Sequence, residues 1–170
     1  MTTARRLLAV VAVSVWLVFA CVGLARAQDV GFSGVWVIDK TYSELLGTGI
    51  LDAAVSITHQ GPTLAFKRTV TVQGGQVTLE FTATTDGRAV SVKGRYRDQL
   101  AVSCLYQEGR LIIQRQQDGI RVSGGKTESI LVHVTEIYSL SADRRTLTVT
   151  ESSKHGDAVR TREMVFRRKG

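Results

Sequence analysis

A chain of 170 residues with 44% hydrophobic and 22% charged side chains is sized for one hydrophobic core, which excludes a multidomain assembly and a disordered polymer. Two cysteines exclude a disulfide-stapled scaffold. The formal net charge of +7 belongs in part to the leading segment, because Arg5, Arg6 and Arg26 all precede residue 28.

Arg5-Arg6 stand before an apolar run from Leu7 to Ala20, and Ala25-Arg26-Ala27 places small side chains where a signal peptidase reads. The reading is a secretory signal over residues 1–27, cleaved before Gln28, and one domain over 28–170, so the protein is expected to be exported, periplasmic or secreted. The apolar run is shorter than the ~20 residues of a spanning helix. Lipidation of Cys21 is the alternative to removal, disfavoured by the bulky Phe19 where that processing wants a small side chain. Cleavage leaves Cys104 alone, with no intramolecular disulfide open to it; between Ser103 and Leu105 in a strand-like run it reads as a small buried hydrophobe.

Phe32 to Asp39 reads as the first strand, with Gly34 and Trp36 two residues apart. Lys40 to Gly47 breaks the alternation and permits about one helical turn ended by glycine. Beyond it the two-residue period of half-buried strands returns at Leu51 to Gln60, turns at Gly61-Pro62, and continues through Thr63 to Val72 and Val77 to Ala83. Asp86-Gly87 leads to Ala89 to Lys93; Leu100 to Gln107 turns at Glu108-Gly109 into Leu111 to Gln117, which is expected to end at an Asp118-Gly119 turn. Ser129 to Leu140, Thr146 to Glu151 and Val159 to Arg168 complete the set. With no helical pattern of 10 to 15 residues between strands, the expectation is all-β: a single antiparallel up-and-down β-barrel of about eight to ten strands, capped at one end by a short helix or loop.

Gly34-x-Trp36 resembles the first signature of the lipocalin and fatty-acid-binding (calycin) barrels. The wider set Ile57-x-His59-x-Gly61-Pro62-x-Leu64, Thr84-Thr85-Asp86-Gly87, Tyr138-Ser139-Leu140-Ser141-Ala142-Asp143 and Met164-Val165-Phe166 is similar to a group of exported bacterial lipocalin-like proteins of unassigned function. The resemblance spans essentially the whole domain and implies a calycin-type barrel. It carries no ligand and no activity with it.

Trp36 is expected to plug one barrel end beside Gly34, with a basic side chain of the last strand stacked on it. Arg167 or Arg168 is in reach, and Arg167 is assigned to the plug. Several strands place one charge on an otherwise apolar face: Arg68 near Phe66, Arg115 beyond Ile113, Glu136 before Tyr138, Glu151 after Val149, Arg162 before Met164. Inside a barrel each is costly without a partner. Either they lie at strand ends or pair with each other, the arginines against Glu136 and Glu151, or Arg68, Arg115 and Arg162 ring a cavity and hold a ligand's carboxylate. His59, on the face of Val55 and Ile57, is a candidate inward ligand or a hydrogen-bonded rim residue; Phe66 and Phe81 are candidate apolar contacts.

No nucleophile elbow, His-Glu-x-x-His or phosphate loop is present, so no enzyme is expected, a pairing of His59 with Glu136 being the weak exception. No metal or cofactor is expected, and nucleic acid is disfavoured for want of a basic and aromatic motif. The expected function is that of an exported lipocalin-like monomer holding a small apolar or amphipathic ligand in the barrel. The alternative is a barrel filled by its own side chains that acts at the cell envelope through its outer surface, the cluster Arg160, Arg162, Arg167, Arg168 and Lys169 with Arg144-Arg145 meeting an anionic surface.

Overall fold

Alternating side chains need a second layer to bury their apolar face, and this chain supplies that layer by curling one sheet on itself. The computed structural model describes residues 31–45, 48–94, 97–156 and 158–170. The expected signal segment 1–27 with Cys21, and Leu46-Gly47 of the expected helical turn, lie outside them. Among the described residues there are ten strands: β1 (Gly34–Ile38), β2 (Ile50–Gln60), β3 (Thr63–Val72), β4 (Gly75–Thr84), β5 (Asp86–Val92), β6 (Leu100–Gln107), β7 (Arg110–Ser123), β8 (Lys126–Leu140), β9 (Thr146–His155) and β10 (Ala158–Arg168). All pairings are antiparallel, in the order β4-β3-β2-β1-β10-β9-β8-β7-β6-β5. The meander closes at β1 and β10, whose short register runs Trp36↔Arg168 to Ile38↔Phe166. It stays unpaired along the seam between β4 and β5, except at the bottom, where Thr85 donates its N–H to Pro62 O (2.8 Å) and Tyr106 donates to Thr85 O (3.1 Å).

One expectation at element scale is corrected and a second is narrowed. Asp118-Gly119 is not a turn but the middle of β7, paired as Asp118↔Leu131 and Gly119↔Ile130. Glycine is there for space: a Cβ on Gly119 would lie 2.8 Å from Val132 Cγ2. The β7–β8 hairpin therefore runs past its neighbours, since β6 pairs no further than Val102↔Arg115 and β9 no further than His133↔Lys154. On one side the β5–β6 loop follows it as far as Asp118, which pairs with Arg97 Nη1 at 2.6 Å; beyond that point, at ~3.3 Å per residue, it projects by roughly 15 Å. The segment after β1 is a loop rather than a helical turn over its described part. Ser43 Oγ accepts Val165 N–H (2.9 Å), Glu44 Oε2 accepts Glu163 N–H (2.8 Å), and Glu44 N–H donates to Glu163 O (2.9 Å). These bonds hold the loop along β10 and compete with helix formation.

Strand directions sort the interior into two ends. The closed end gathers the N-terminal stretch, the turns after β2, β4, β6 and β8, and the end of β10; the open rim gathers the other turns and the β1–β2 loop. Phe32, Leu64, Leu111, Leu147 and Phe166 fill the closed end with essentially no exposure, and Phe66, Phe81, Ile113, Tyr138 and Met164 form the rows above them. Phe66 stacks on Phe81 at 5.1 Å and meets Tyr138 edge-on at 5.8 Å. Cys104 is buried in this core, where burial first and Glu136 second push its thiol up to about 12.

Candidate functional site

The closed end is built by strand parity. Trp36 and Arg168 are directly opposed across β1 and β10, so both lie on the same side of the sheet. The Arg168 guanidinium sits 4.5 Å from the Trp36 ring centroid and donates to Gly31 O (2.7 Å) and Arg144 O (3.2 Å). Trp36 Nε1–H donates to Phe32 O at 3.0 Å, leaving no unsatisfied polar atom on a fully buried indole. Gly34 has φ of 147°, and a Cβ there would lie 3.2 Å from Arg168 Nη1. The plug partner is thus Arg168 and not Arg167. Residue 167 falls on the outer side, where its Nε donates to Asp39 Oδ2 (2.9 Å) and its guanidinium lies 5.6 Å from the Tyr42 ring.

Above the apolar rows a charged layer crosses the barrel. Register puts Glu136 opposite Glu151, and Glu151 opposite Arg162, in one row along β8, β9 and β10. Two facing carboxylates repel; cations from both flanks and from the opposite wall compensate. Glu136 Oε1 accepts from Arg68 Nη1 of β3 (2.6 Å) across the lumen and from Arg115 Nη2 and Nε (2.8 and 3.2 Å), while Oε2 accepts from the Tyr138 hydroxyl (2.8 Å). Glu151 Oε1 pairs with Arg162 Nη2 at 2.7 Å, and its Oε2 lies 3.6 to 3.7 Å from Arg115 and Arg68. Arg115 Nη1 also donates to Gln117 Oε1. Burial by itself raises the Glu136 pKa, but Arg68 and Arg115, with the bonds from Arg115 and Tyr138, outweigh it and hold the carboxyl far below its usual range. Burial and then Glu136 push the Tyr138 hydroxyl well up, so it stays a donor.

This layer is a floor. On one side of the mouth above it is a cavity of about 470 Å³ walled by Val70, Leu79, Val92 and Leu100, with Arg68 and Arg115 at its base. On the other is a cavity of about 520 Å³ lined by Glu44, Thr48, Ser153 and Arg160, with Glu151 and Arg162 at its base. Gln117 borders both. Two buried polar atoms of the floor, Glu151 Oε2 and Arg162 Nε, make no hydrogen bond within the protein.

The structure thus joins the two alternatives for the charges: the arginines pair with the glutamates, and Arg68, Arg115 and Arg162 also line the mouth. It does not bring the other candidates there. Glu136 has no exposure and both its oxygens are occupied. Phe66 is packed below the floor, and Phe81 borders the β4–β5 seam. His59 lies at the closed end, its ring 5.8 Å from that of Tyr106 and its backbone tied to Ser33 Oγ. Opposed to Leu64, it is four residues along β3 from Arg68, about 13 Å from the charged row at strand rise. It therefore stands at a strand end beside the Gly61-Pro62 turn, at the closed end of the barrel and away from Glu136. Among the described residues no group of His, Cys, Asp and Glu side chains is arranged to hold a metal ion. The proposed basic cluster is divided as well, Arg160 and Arg162 standing at the open end and Arg144, Arg145, Arg167 and Arg168 at the closed one. Gln117, Glu44 and Ser153 were not singled out in the sequence; parity with Arg115 and Glu151 was the available signal for Gln117 and Ser153, and none existed for Glu44.

No protein-family model matches the chain, and no curated protein matches it. Among solved structures, the chain is similar to zebrafish ileal bile acid-binding protein complexed with cholic acid, at 13% identity and a TM-score of 0.50, covering 82% of this chain and 99% of that one. A mutant of the REP1-NXSQ fatty acid transporter is 12% identical with a TM-score of 0.48, covering 81% of this chain and 97% of that one. The likeness is one of fold: a nearly closed antiparallel barrel of calycin type.

Proposed function

We propose that the protein is an exported carrier that holds a small amphipathic molecule in the open half of its barrel. The observation that supports this is the charged floor, which divides a filled lower half from a mouth with one apolar and one polar lobe. Each lobe is within the usual size of small-molecule sites. The apolar walls of Val70, Leu79, Val92 and Leu100 suit a hydrocarbon body, and the polar lobe suits its head. Three guanidiniums against two carboxylates leave the floor one positive charge in excess, so a head with a single negative charge balances it and accepts from Arg162 Nε. The solved structure of a bile acid-binding protein complexed with cholic acid has a similar fold, which supports the reading.

The test is titration with a fluorescent long-chain carboxylate and with the corresponding alcohol. The carboxylate is expected to bind more tightly, and Leu79→Trp, which fills the apolar lobe, to weaken both by about tenfold or more. Equal affinity of Leu79→Trp and the parent overturns the site. The filled-barrel alternative requires no saturable binding of either probe.

A further inference from the structure

Among the described residues the large apolar side chains that are more than half exposed are Tyr42, Leu51, Val77, Ile120, Val122 and Val159. Tyr42 lies on the outer wall against Arg167; the other five stand at the open end, at the start of β2 and of β10 and near the tips of the β3–β4 and β7–β8 hairpins, with Val77 and Ile120 also bordering the apolar lobe. The other exposed large hydrophobics, Val35, Val37 and Leu105, reach only 37 to 43% and lie on the outer wall. No hairpin needs an apolar tip in order to turn. Val122 at 71% and Ile120 at 53% sit on the β7–β8 ribbon where it has already left its neighbours.

We infer that the open rim docks on a lipid bilayer surface bearing anionic headgroups, with these side chains inserted at the interface. The distribution favours lipid over a protein partner. Protein interfaces concentrate their binding energy in a packed centre, and the centre of this ring is the mouth. Separate apolar tips around an opening can each enter a fluid interface without a complementary surface. Lys93, Lys126, Lys154 and Arg160 are exposed on the same rim and supply the attraction to anionic headgroups. The outer wall below carries alternating polar side chains such as Thr58, Lys67, Glu80 and Thr82, so contact is confined to one end. The inference goes beyond the carrier reading and stands whether or not the mouth holds a ligand.

The experiment is co-sedimentation with vesicles of phosphatidylethanolamine and phosphatidylglycerol. The parent is compared with a rim variant combining Leu51→Ser, Val122→Ser and Val159→Ser, and with a wall variant combining Val35→Ser, Val37→Ser and Leu105→Ser. The rim variant is expected to bind about tenfold or more weakly than the parent, with an unchanged melting temperature, and the wall variant to bind as the parent does. With Cys21→Ser introduced and Cys104 buried, a polarity-sensitive dye on Val122→Cys reports the rim alone and is expected to shift to the blue on vesicle addition. No sedimentation of the parent, equal losses in both variants, or an unshifted dye overturns the inference. So does a parent dimer that the rim variant dissolves, which assigns the ring to a second copy of the chain. Saturable ligand binding in solution is untouched by any of these results.

Discussion

Trp36 and Arg168 show how little freedom the closed end has. The indole is fully buried, hydrogen-bonded to Phe32 O and covered by a guanidinium that a side chain at Gly34 would displace. Trp36→Ala is expected to cost ~3 to 5 kcal/mol in a chemical melt, the range for emptying a large aromatic site. Arg168→Ala is expected to lower the melting temperature more than Arg167→Ala, which removes exposed contacts with Asp39, Thr146 Oγ1 and the Tyr42 ring. Glu136 is the corresponding point of the floor. Its carboxyl titrates lower when folded than the ordinary 4.5, so its contribution is fully present above that value and is lost as pH falls below it towards the folded pKa. Glu136→Gln leaves Arg68 and Arg115 facing Glu151 alone and is expected to cost ~3 to 5 kcal/mol at neutral pH. Denaturant melts between neutral pH and pH ~2 should show the parent losing stability below pH 4.5 more steeply than this variant; parallel profiles contradict the assignment of that loss to Glu136.

At the scale of elements, most of the barrel was legible because its strands keep period two outside the register shifts at Ile50/Asp52 and Asp86/Ala89, and the same parity placed Arg68, Arg115, Glu136, Glu151 and Arg162 indoors. What parity did not reveal is height. His59 and Arg68 share an inward face, yet one belongs to the closed end and the other to the floor, because a face is written in the sequence while a row depends on register with distant strands. Arg167 was misassigned for a readable reason: Met164 and Phe166 point inward, so parity already indicated 168. Asp118-Gly119 carries the residues of a hairpin turn, but the glycine answers to Val132 and Ile130 across the ribbon, a contact between residues more than ten positions apart. Gly119→Ala is accordingly expected to destabilise by ~1 to 3 kcal/mol through overcrowding rather than through backbone strain. The seam makes a further expectation. Amides on the free edges of β4 and β5 should exchange with deuterium before those shared by β8 and β9, whose ladder runs from His133↔Lys154 to Leu140↔Leu147. Equal protection along the seam contradicts an open edge there.

The whole molecule is a barrel in two halves. Below the floor, side chains fill the interior to near-zero exposure; above it, strand ends diverge around two lobes and a ring of apolar tips. A ladder of ion pairs is a poor source of stability for its own sake, since apolar residues of similar volume often serve as well. Its position between a packed core and an open mouth gives it another use, that of presenting oriented charge to whatever occupies the mouth. The most direct measurement is native mass spectrometry of the protein purified from its own cells, followed by denaturing extraction. The expected result is a fraction of the protein carrying one small amphipathic molecule with an acidic head, released on unfolding and reduced in Leu79→Trp. Protein found only at its bare mass, and unchanged by added long-chain carboxylate, contradicts a ligand-holding mouth.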